Sequence, residues 1–432
     1  MKPARSPRVS SIMELLKVVF SGRMSVALLM GFASGLPLLL TLSVLQAWMK
    51  EEGVDLTVIG LMALVGLPYT LKFLWAPLLD RFTLSLFGQP FLGRRRGWLL
   101  VIQVALMLSI VGLGFTSPVE STWMVALAAF FVTFFSASQD IVVDAYRRED
   151  LANEELGLGS SLYVSGYRIG MLLASGGGLI LADHIPFSWV YFIMAACMSV
   201  GVVTTLLARE PPVPEGSPRS LREAVIDPFV EYFSRNEAWW ILAFILLYKI
   251  GDTMASAMTT PFYLDIGFSK TEIGTVVKLF GFWMTIAGGL LGGLLMLSLG
   301  IYRCLWIFGL LQAVSTAGFA VLAHFGRTLF GLASVIGFEN LSSGMGTAAF
   351  VAFMASLTNK KFTATQYALL SGLMGVPRVI ASAPTGFLAL LMGWKGFFIL
   401  CTLIAIPGLL LLLRFSRMEA EITQTNGAVE SV

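Results

Sequence analysis

Runs of about 20 apolar residues, each long enough to cross a bilayer as a single helix, recur twelve times along this 432-residue chain. They fall at 25–49, 56–79, 97–116, 122–146, 157–182, 188–208, 238–264, 271–299, 302–324, 328–357, 363–391 and 394–414. Lipid offers backbone groups no hydrogen-bond partners, so uninterrupted apolar runs of this length select helices. Only 13% of residues are charged and 56% are hydrophobic, whereas an average soluble domain is about 25% charged. The expectation is an all-α, multi-pass integral membrane protein. Residues 1–24 are basic and Ser-rich, and the apolar run behind them is too long for a signal-peptide core, so it is expected as the first span.

The spans divide six and six around one long polar break, Arg209 to Glu237, which carries Pro211, Pro212, Pro214 and Pro218. The expected organisation is a cytoplasmic segment 1–24, a six-helix bundle 25–208, a cytoplasmic linker 209–237, a second six-helix bundle 238–414 and a cytoplasmic tail 415–432. With both termini inside, 20 Lys and Arg residues lie on the cytoplasmic side and only Lys50, Lys270, Arg327 and Lys395 outside. That asymmetry sets the orientation by the positive-inside rule. The halves echo each other. Gly53-Val-Asp-Leu-Thr-Val-Ile-Gly60 resembles Gly267-Phe-Ser-Lys-Thr-Glu-Ile-Gly274, and Ser161, Arg168 and Gly176 match Ser371, Arg378 and Gly386. Parallel repeats of six helices are the arrangement of the major facilitator superfamily.

The fourth span ends in Ser136-Ala-Ser-Gln-Asp-Ile-Val-Val-Asp144, two carboxylates and a carboxamide inside a membrane helix. Ionised groups there cost roughly 2.5–3.5 kcal/mol each on insertion scales. Asp140 and Asp144 share a face. Asp140, the deeper, is a candidate for proton coupling or substrate contact, or else a structural ion-pair acid. Asp144, beside Arg147 and Arg148, reads as a cytoplasmic gate or a structural pair. Gln139 suits a sugar hydroxyl or amide, or an interhelical hydrogen bond.

Other intramembrane polar residues extend this list. Arg168 and Arg378 occupy corresponding depths in the two halves, where a guanidinium needs an acid or an anionic ligand. Lys249 and Asp252, three apart, form a self-neutralising pair or face an anionic substrate and a proton. Glu339 is a further proton candidate, Asn340 a sugar contact, and Lys72 lies deep on the second span. Gly31 and Gly35 form a close-packing face, Pro37 permits a kink, and backbone near Gly35 is a candidate sugar contact. Gln46 and Trp48 mark an entrance or, for Trp48, an interfacial anchor. Asp80-Arg81 followed by Gly93-Arg94-Arg95-Arg96 has the character of a cytoplasmic gating motif, with Asp144 as the expected partner of Arg81.

Three scattered cysteines and two loop histidines indicate neither a disulfide framework nor a metal site, and no cofactor is expected. Nucleotide-binding and hydrolase signatures are absent. An enzyme and a nucleic-acid partner are therefore not expected, and energy must come from an ion gradient or the substrate's own.

These blocks, with Lys72-Phe-Leu-Trp-Ala-Pro-Leu-Leu-Asp-Arg81, Gly166-Tyr-Arg-Ile-Gly-Met171, Tyr248-Lys-Ile-Gly-Asp252, Phe338-Glu-Asn-Leu-Ser-Ser-Gly-Met-Gly-Thr347 and Thr363-Ala-Thr-Gln-Tyr-Ala-Leu-Leu-Ser371, resemble the AmpG family of muropeptide permeases. The resemblance implies a monomeric, proton-symporting transporter of the bacterial inner membrane. Its substrates would be N-acetylglucosaminyl-1,6-anhydro-N-acetylmuramyl peptides, moved from periplasm to cytoplasm for peptidoglycan recycling. It also implies a link to β-lactamase induction and β-lactam resistance. Some relatives carry two further C-terminal helices, without counterpart after Arg417. A weaker resemblance extends to acetyl-coenzyme A transporters, which makes another anionic conjugate the alternative substrate. A non-transporting receptor for wall fragments is the remaining reading.

Overall fold

The computed structural model describes residues 21–54, 58, 62–86, 89–90, 92–212, 223, 225–235, 237–269, 272–375, 381 and 384–429. They are helical apart from loops and a two-residue antiparallel hairpin, Ser85–Leu86 with Gln89–Pro90. The helices follow the apolar runs: α1 Gly22–Glu51, then α2, a string of short turns (Met62–Gly66, Leu67–Leu71, Lys72–Leu74 and Ala76–Arg81). Next come α3 Arg94–Gly114, α4 Thr122–Asp150, α5 Leu156–Ala182, α6 Phe187–Leu207, α7 Ala238–Ile266, α8 Ile273–Leu299 and α9 Ile301–Phe325. The last are α10 Leu329–Leu357, α11 Thr363–Leu373 and α12 Thr385–Val429. Among the described residues, nine helices are long and apolar enough to cross a membrane.

The departures from unbroken spans have local causes. Pro68 and Pro77 lie inside the expected second span and lack the N–H that a continuous helix needs. The expected seventh span is interrupted at Tyr248-Lys249. The expected eleventh ends as a helix at Leu373, and Arg378 lies outside the described residues. Within α12 the helix is broken at Gly393, between the expected eleventh and twelfth spans, and the positive φ of 68° there is one that a residue with a Cβ rarely adopts. Downstream of Pro37, α1 widens into a π turn over Leu40–Val44, and the Tyr191 hydroxyl donates to the Leu40 carbonyl at 2.9 Å.

By contact the chain forms two compact units. One comprises the described residues up to Tyr232 with Met354–Gly372; the other runs from Phe233 to Phe353 and from Leu373 on. In the first, α1 crosses α5 at backbone distance. A Cβ on Gly31 or Gly35 would lie 2.1 or 2.0 Å from the carbonyl oxygen of Tyr163 or Tyr167. Gly166 and Gly170 return the contact against Leu28 and Phe32. Both helices thus present a small-xxx-small face. The second unit repeats the device where Gly288 on α8 meets Leu341 and Gly344 on α10 meets Thr285. Large apolar side chains such as Leu108, Phe115, Trp123, Leu207 and Trp239 stay exposed, an apolar surface that suits lipid and is far beyond what water-soluble monomers show.

Candidate functional site

The second half of α4 is buried all round: every residue from Ser136 to Glu149 is shielded. Ser136 and Ser138 are packing groups, accepting from the Tyr69 hydroxyl at 2.9 Å and the Trp75 indole at 3.0 Å. Gln139 and Asp140 are different. Both amide atoms of Gln139 and one carboxyl oxygen of Asp140 are buried without a hydrogen-bond partner. Lys72 and Asp144 are the charged groups acting on Asp140, with Ser34 beside it. An unsatisfied buried polar group costs about 1–3 kcal/mol, so packing does not account for these two side chains.

Asp144 is paired with Arg147 at 3.1 Å, and this corrects the expected Asp144–Arg81 partnership. The Arg147 guanidinium lies 4.4 Å from the Tyr163 ring and donates to the Tyr367 hydroxyl at 3.0 Å. Arg81 instead lies over the Phe82 ring at 5.6 Å, and its Nε has no partner.

Of the expected gate residues, Asp80, Arg94 and Arg95 form a separate cluster centred on Arg95. Its guanidinium pairs with Asp80 at 2.7 Å and Glu149 at 2.6 Å and donates to the Leu79 carbonyl at 3.1 Å, with 1% of each charged side chain exposed. Arg94 joins through Glu149 at 2.9 Å. Asp80 also accepts from the Ala364 and Thr365 amides, at 3.2 and 2.8 Å, and from the Thr365 hydroxyl. The carboxylate therefore caps the N-terminus of α11, where the helix dipole favours negative charge. Arg96 has another task, donating to the carbonyls of Thr205 and Leu206 at the end of α6. Glu210 accepts from the Arg95 and Arg96 amides and so caps α3. At Gly93, with φ of 97°, a Cβ would stand 2.5 Å from the Glu210 carboxyl carbon. Glu149 and Glu210 were missed from sequence; their signal is only that each directly follows an arginine, Arg148 and Arg209.

In the second unit Lys249 and Asp252 do pair, at 3.1 Å. Glu339 accepts from the Ser315 hydroxyl and lies within hydrogen-bonding reach of Asp252. Asn340 is used in packing: it accepts from Thr285 at 2.8 Å and donates to the Ile336 carbonyl at 3.0 Å. Arg168 is half-buried, Gln46 is exposed, and Gly35 sits in the α1–α5 crossing. Trp48 is no interfacial anchor, being buried and stacked on Phe187 at 5.8 Å.

Comparisons with known proteins agree with this architecture. The Major Facilitator Superfamily profile matches residues 24–382. The anhydromuropeptide permease of Escherichia coli strain K12 is 45% identical over 416 residues, covering 96% of this chain and 83% of that one. An uncharacterized protein of Haemophilus influenzae is 41% identical over 420 residues, covering 94% and 98%. Among solved structures, the proton:xylose symporter XylE superposes with a TM-score of 0.69 at 11% identity, covering 91% and 95%. The human organic anion transporter TETRAN gives 0.62 at 16% identity, covering 92% and 99%. At such identities the two structures speak for the fold alone. With a profile spanning most of its length and a permease as close relative, the chain is a transporter and not an enzyme, and it belongs to the AmpG branch of the Major Facilitator Superfamily.

Proposed function

We propose that this protein imports anhydromuropeptides across the bacterial inner membrane, from periplasm to cytoplasm, coupled to inward proton flow. The observation that carries the substrate is the 45% identity with the E. coli anhydromuropeptide permease, sustained over 96% of the chain. Such fragments join amino sugars to a peptide bearing carboxylates. The unpartnered amide of Gln139 supports a sugar-binding role, and Arg168, Arg378 and Lys249 supply cations for the acids. Coupling is assigned to Asp140, Asp252 and Glu339, carboxyl groups held inside spans where ionisation is costly. The Asp80–Arg95–Glu149 cluster acts as the cytoplasmic gate, engaged in one phase of alternating access and released in the other. The protein works as a monomer in the bilayer, feeds peptidoglycan recycling, and through it β-lactamase induction.

Uptake of labelled anhydromuropeptide into proteoliposomes, with and without an imposed inward-directed proton gradient, tests this reading. Accumulation above equilibrium only with the gradient is expected. Absence of uptake, or accumulation indifferent to the gradient, contradicts it. Asp140→Asn should abolish gradient-driven accumulation; normal accumulation would remove Asp140 from the coupling path.

A further inference from the structure

α7 is interrupted inside its apolar span. One helix, Ala238–Leu247, stops; Tyr248 and Lys249 form the joint, Lys249 at φ −104° and ψ 2°; a second helix runs Ile250–Ile266. Packing holds this joint from the sides. The Tyr248 hydroxyl donates to the Leu305 carbonyl at 3.0 Å and its ring stacks on Phe350 at 5.2 Å. A Cβ on Gly408 would lie 2.9 Å from Tyr248 Cα, and one on Gly251 would lie 2.4 Å from the Cys401 carbonyl oxygen, so α7 and α12 meet at backbone distance here. Broken spans place charged groups near the bilayer midplane, where transporters bind substrates and coupling ions.

What the joint presents is a compact set of charges. The Lys249 ammonium donates to Asp252 at 3.1 Å, with 16% and 17% of the two side chains exposed, against 1% for the Arg95–Asp80 pair. On its other side Asp252 lies within hydrogen-bonding reach of Glu339 on α10, and Lys249 also acts on Glu339. Tyr248 and Tyr263 are further ionisable groups facing the set, Tyr248 towards Asp252 and Tyr263 towards Glu339. Two carboxylates placed this close repel each other, and a single proton between the pair removes that repulsion. The set is neutral when it holds one ammonium, one carboxylate and one carboxylic acid.

We infer that Lys249 is the subsite for a carboxylate of the substrate, and that Asp252 is its resident counter-ion, displaced when the substrate binds. The inference rests on the importer reading and names its coupling step. A substrate carboxylate that takes the ammonium leaves Asp252 without a counter-charge, and Asp252 takes one proton from the aqueous side of the path, forming an O–H bond. On substrate release that bond breaks, the proton leaves to water, and Asp252 returns to Lys249. One carboxylate and one proton enter and leave together, so the set is neutral at each stage. Neutrality matters because an uncompensated charge inside a membrane protein is costly.

The test uses the full-length protein in proteoliposomes, with labelled anhydromuropeptide and an analogue whose carboxylates are converted to carboxamides. Lys249→Gln should raise KM for the acid by about ten-fold or more, the scale of losing one charge-assisted hydrogen bond, and leave KM for the carboxamide unchanged. Lys249→Arg should restore part of the loss. Asp252→Asn should keep exchange of labelled for unlabelled substrate but lose accumulation driven by a pH gradient. Should either single variant fail to fold, Lys249→Gln combined with Asp252→Asn keeps the set neutral and is judged by the same acid-against-carboxamide comparison. Equal effects of Lys249→Gln on both substrates, or undiminished accumulation by Asp252→Asn, overturn the inference alone. No uptake by the unaltered protein overturns the importer reading and this inference with it.

Discussion

At the scale of single residues, the three consecutive arginines Arg94, Arg95 and Arg96 show how far a motif can be read. The sequence contains an acid, a loop and a basic triplet, which is enough to locate a cluster. It does not say which arginine meets which acid, because the loop from Phe82 to Gly93 sets that register and loop geometry leaves no periodicity to read. In the fold, Arg95 alone reaches Asp80, Arg94 reaches Glu149 and Arg96 turns to the carbonyls of α6. Arg81, adjacent to Asp80, stays out because neighbouring helical residues point to different sides. The Arg95 network is buried and forked, so geometry and not charge alone holds it. Asp80→Asn leaves Arg95 with one carboxylate fewer and replaces one of the two oxygens that accept from α11 by an NH2 donor. Breaking a buried pair from one side typically costs about 3–5 kcal/mol. A clear fall in the thermal midpoint of detergent-solubilised protein is expected for Asp80→Asn. A comparable fall is expected for Arg95→Lys, which keeps the charge and loses the fork. An unchanged midpoint in both would show that the cluster adds no net stability.

At the scale of elements, glycine spacing carries more than conformational freedom. Gly31 and Gly35 were legible as a packing face, but their partner face, Gly166 and Gly170 on α5, carries the same spacing and announces itself only when the crossing is seen. Gly170→Ala should drive a methyl group towards the Phe32 carbonyl, 2.3 Å from where the Cβ would stand. Overpacking of this kind costs about 1–3 kcal/mol. Gly112→Ala is the control, since a Cβ there meets nothing within 4 Å; it should be neutral or favourable by up to about 1 kcal/mol through helix propensity. Equal midpoints for the two variants would contradict the close crossing. The start of α8 shows a second local device. Ser269 and Glu272 cap each other reciprocally, the Ser269 amide donating to Glu272 at 2.7 Å and the Glu272 amide to the Ser269 hydroxyl at 3.1 Å. The Ser269 amide first, and Arg327 next, hold the Glu272 carboxyl below the usual carboxylate range. A folded value below the unfolded one means the contribution is complete above the ordinary carboxylate range and is lost as pH falls through the lowered value. Hydrogen exchange at the Ser269 amide, corrected for intrinsic rate, should therefore lose protection only in strongly acidic solution. In Glu272→Gln that acid-dependent step should be absent.

At the scale of the whole molecule, the apolar runs carried the architecture because lipid leaves a long helix few alternatives. What they concealed were the interruptions. Hydropathy averages over about 19 residues, so it cannot register the turns of α2 or the joint at Tyr248-Lys249, which lie beside Lys72, Asp80 and Lys249, whereas the break at Gly393 falls between the expected eleventh and twelfth spans. The polar candidates were found individually; a local pair such as Asp144 and Arg147, three apart on one helix, could be read from spacing, whereas the pairing of Arg95 with Glu149 depends on a tertiary contact that no spacing encodes. Orientation is the one global property that sequence argues and contacts leave open, and it decides which cluster faces the cytoplasm. The loops near Glu120 and His184 join α3 to α4 and α5 to α6, at the ends away from the arginine cluster; the loop at Ala152–Glu154 joins α4 to α5 beside it. All these positions are exposed. With Cys197, Cys304 and Cys401 replaced by serine or alanine, single cysteines at Glu120 and His184 should react with a membrane-impermeant maleimide in intact spheroplasts. A cysteine at Glu154 should react only after permeabilisation. Because lysine and arginine excess in short loops governs insertion, the opposite labelling pattern would place the Arg95 cluster on the periplasmic side and overturn its assignment as the cytoplasmic gate.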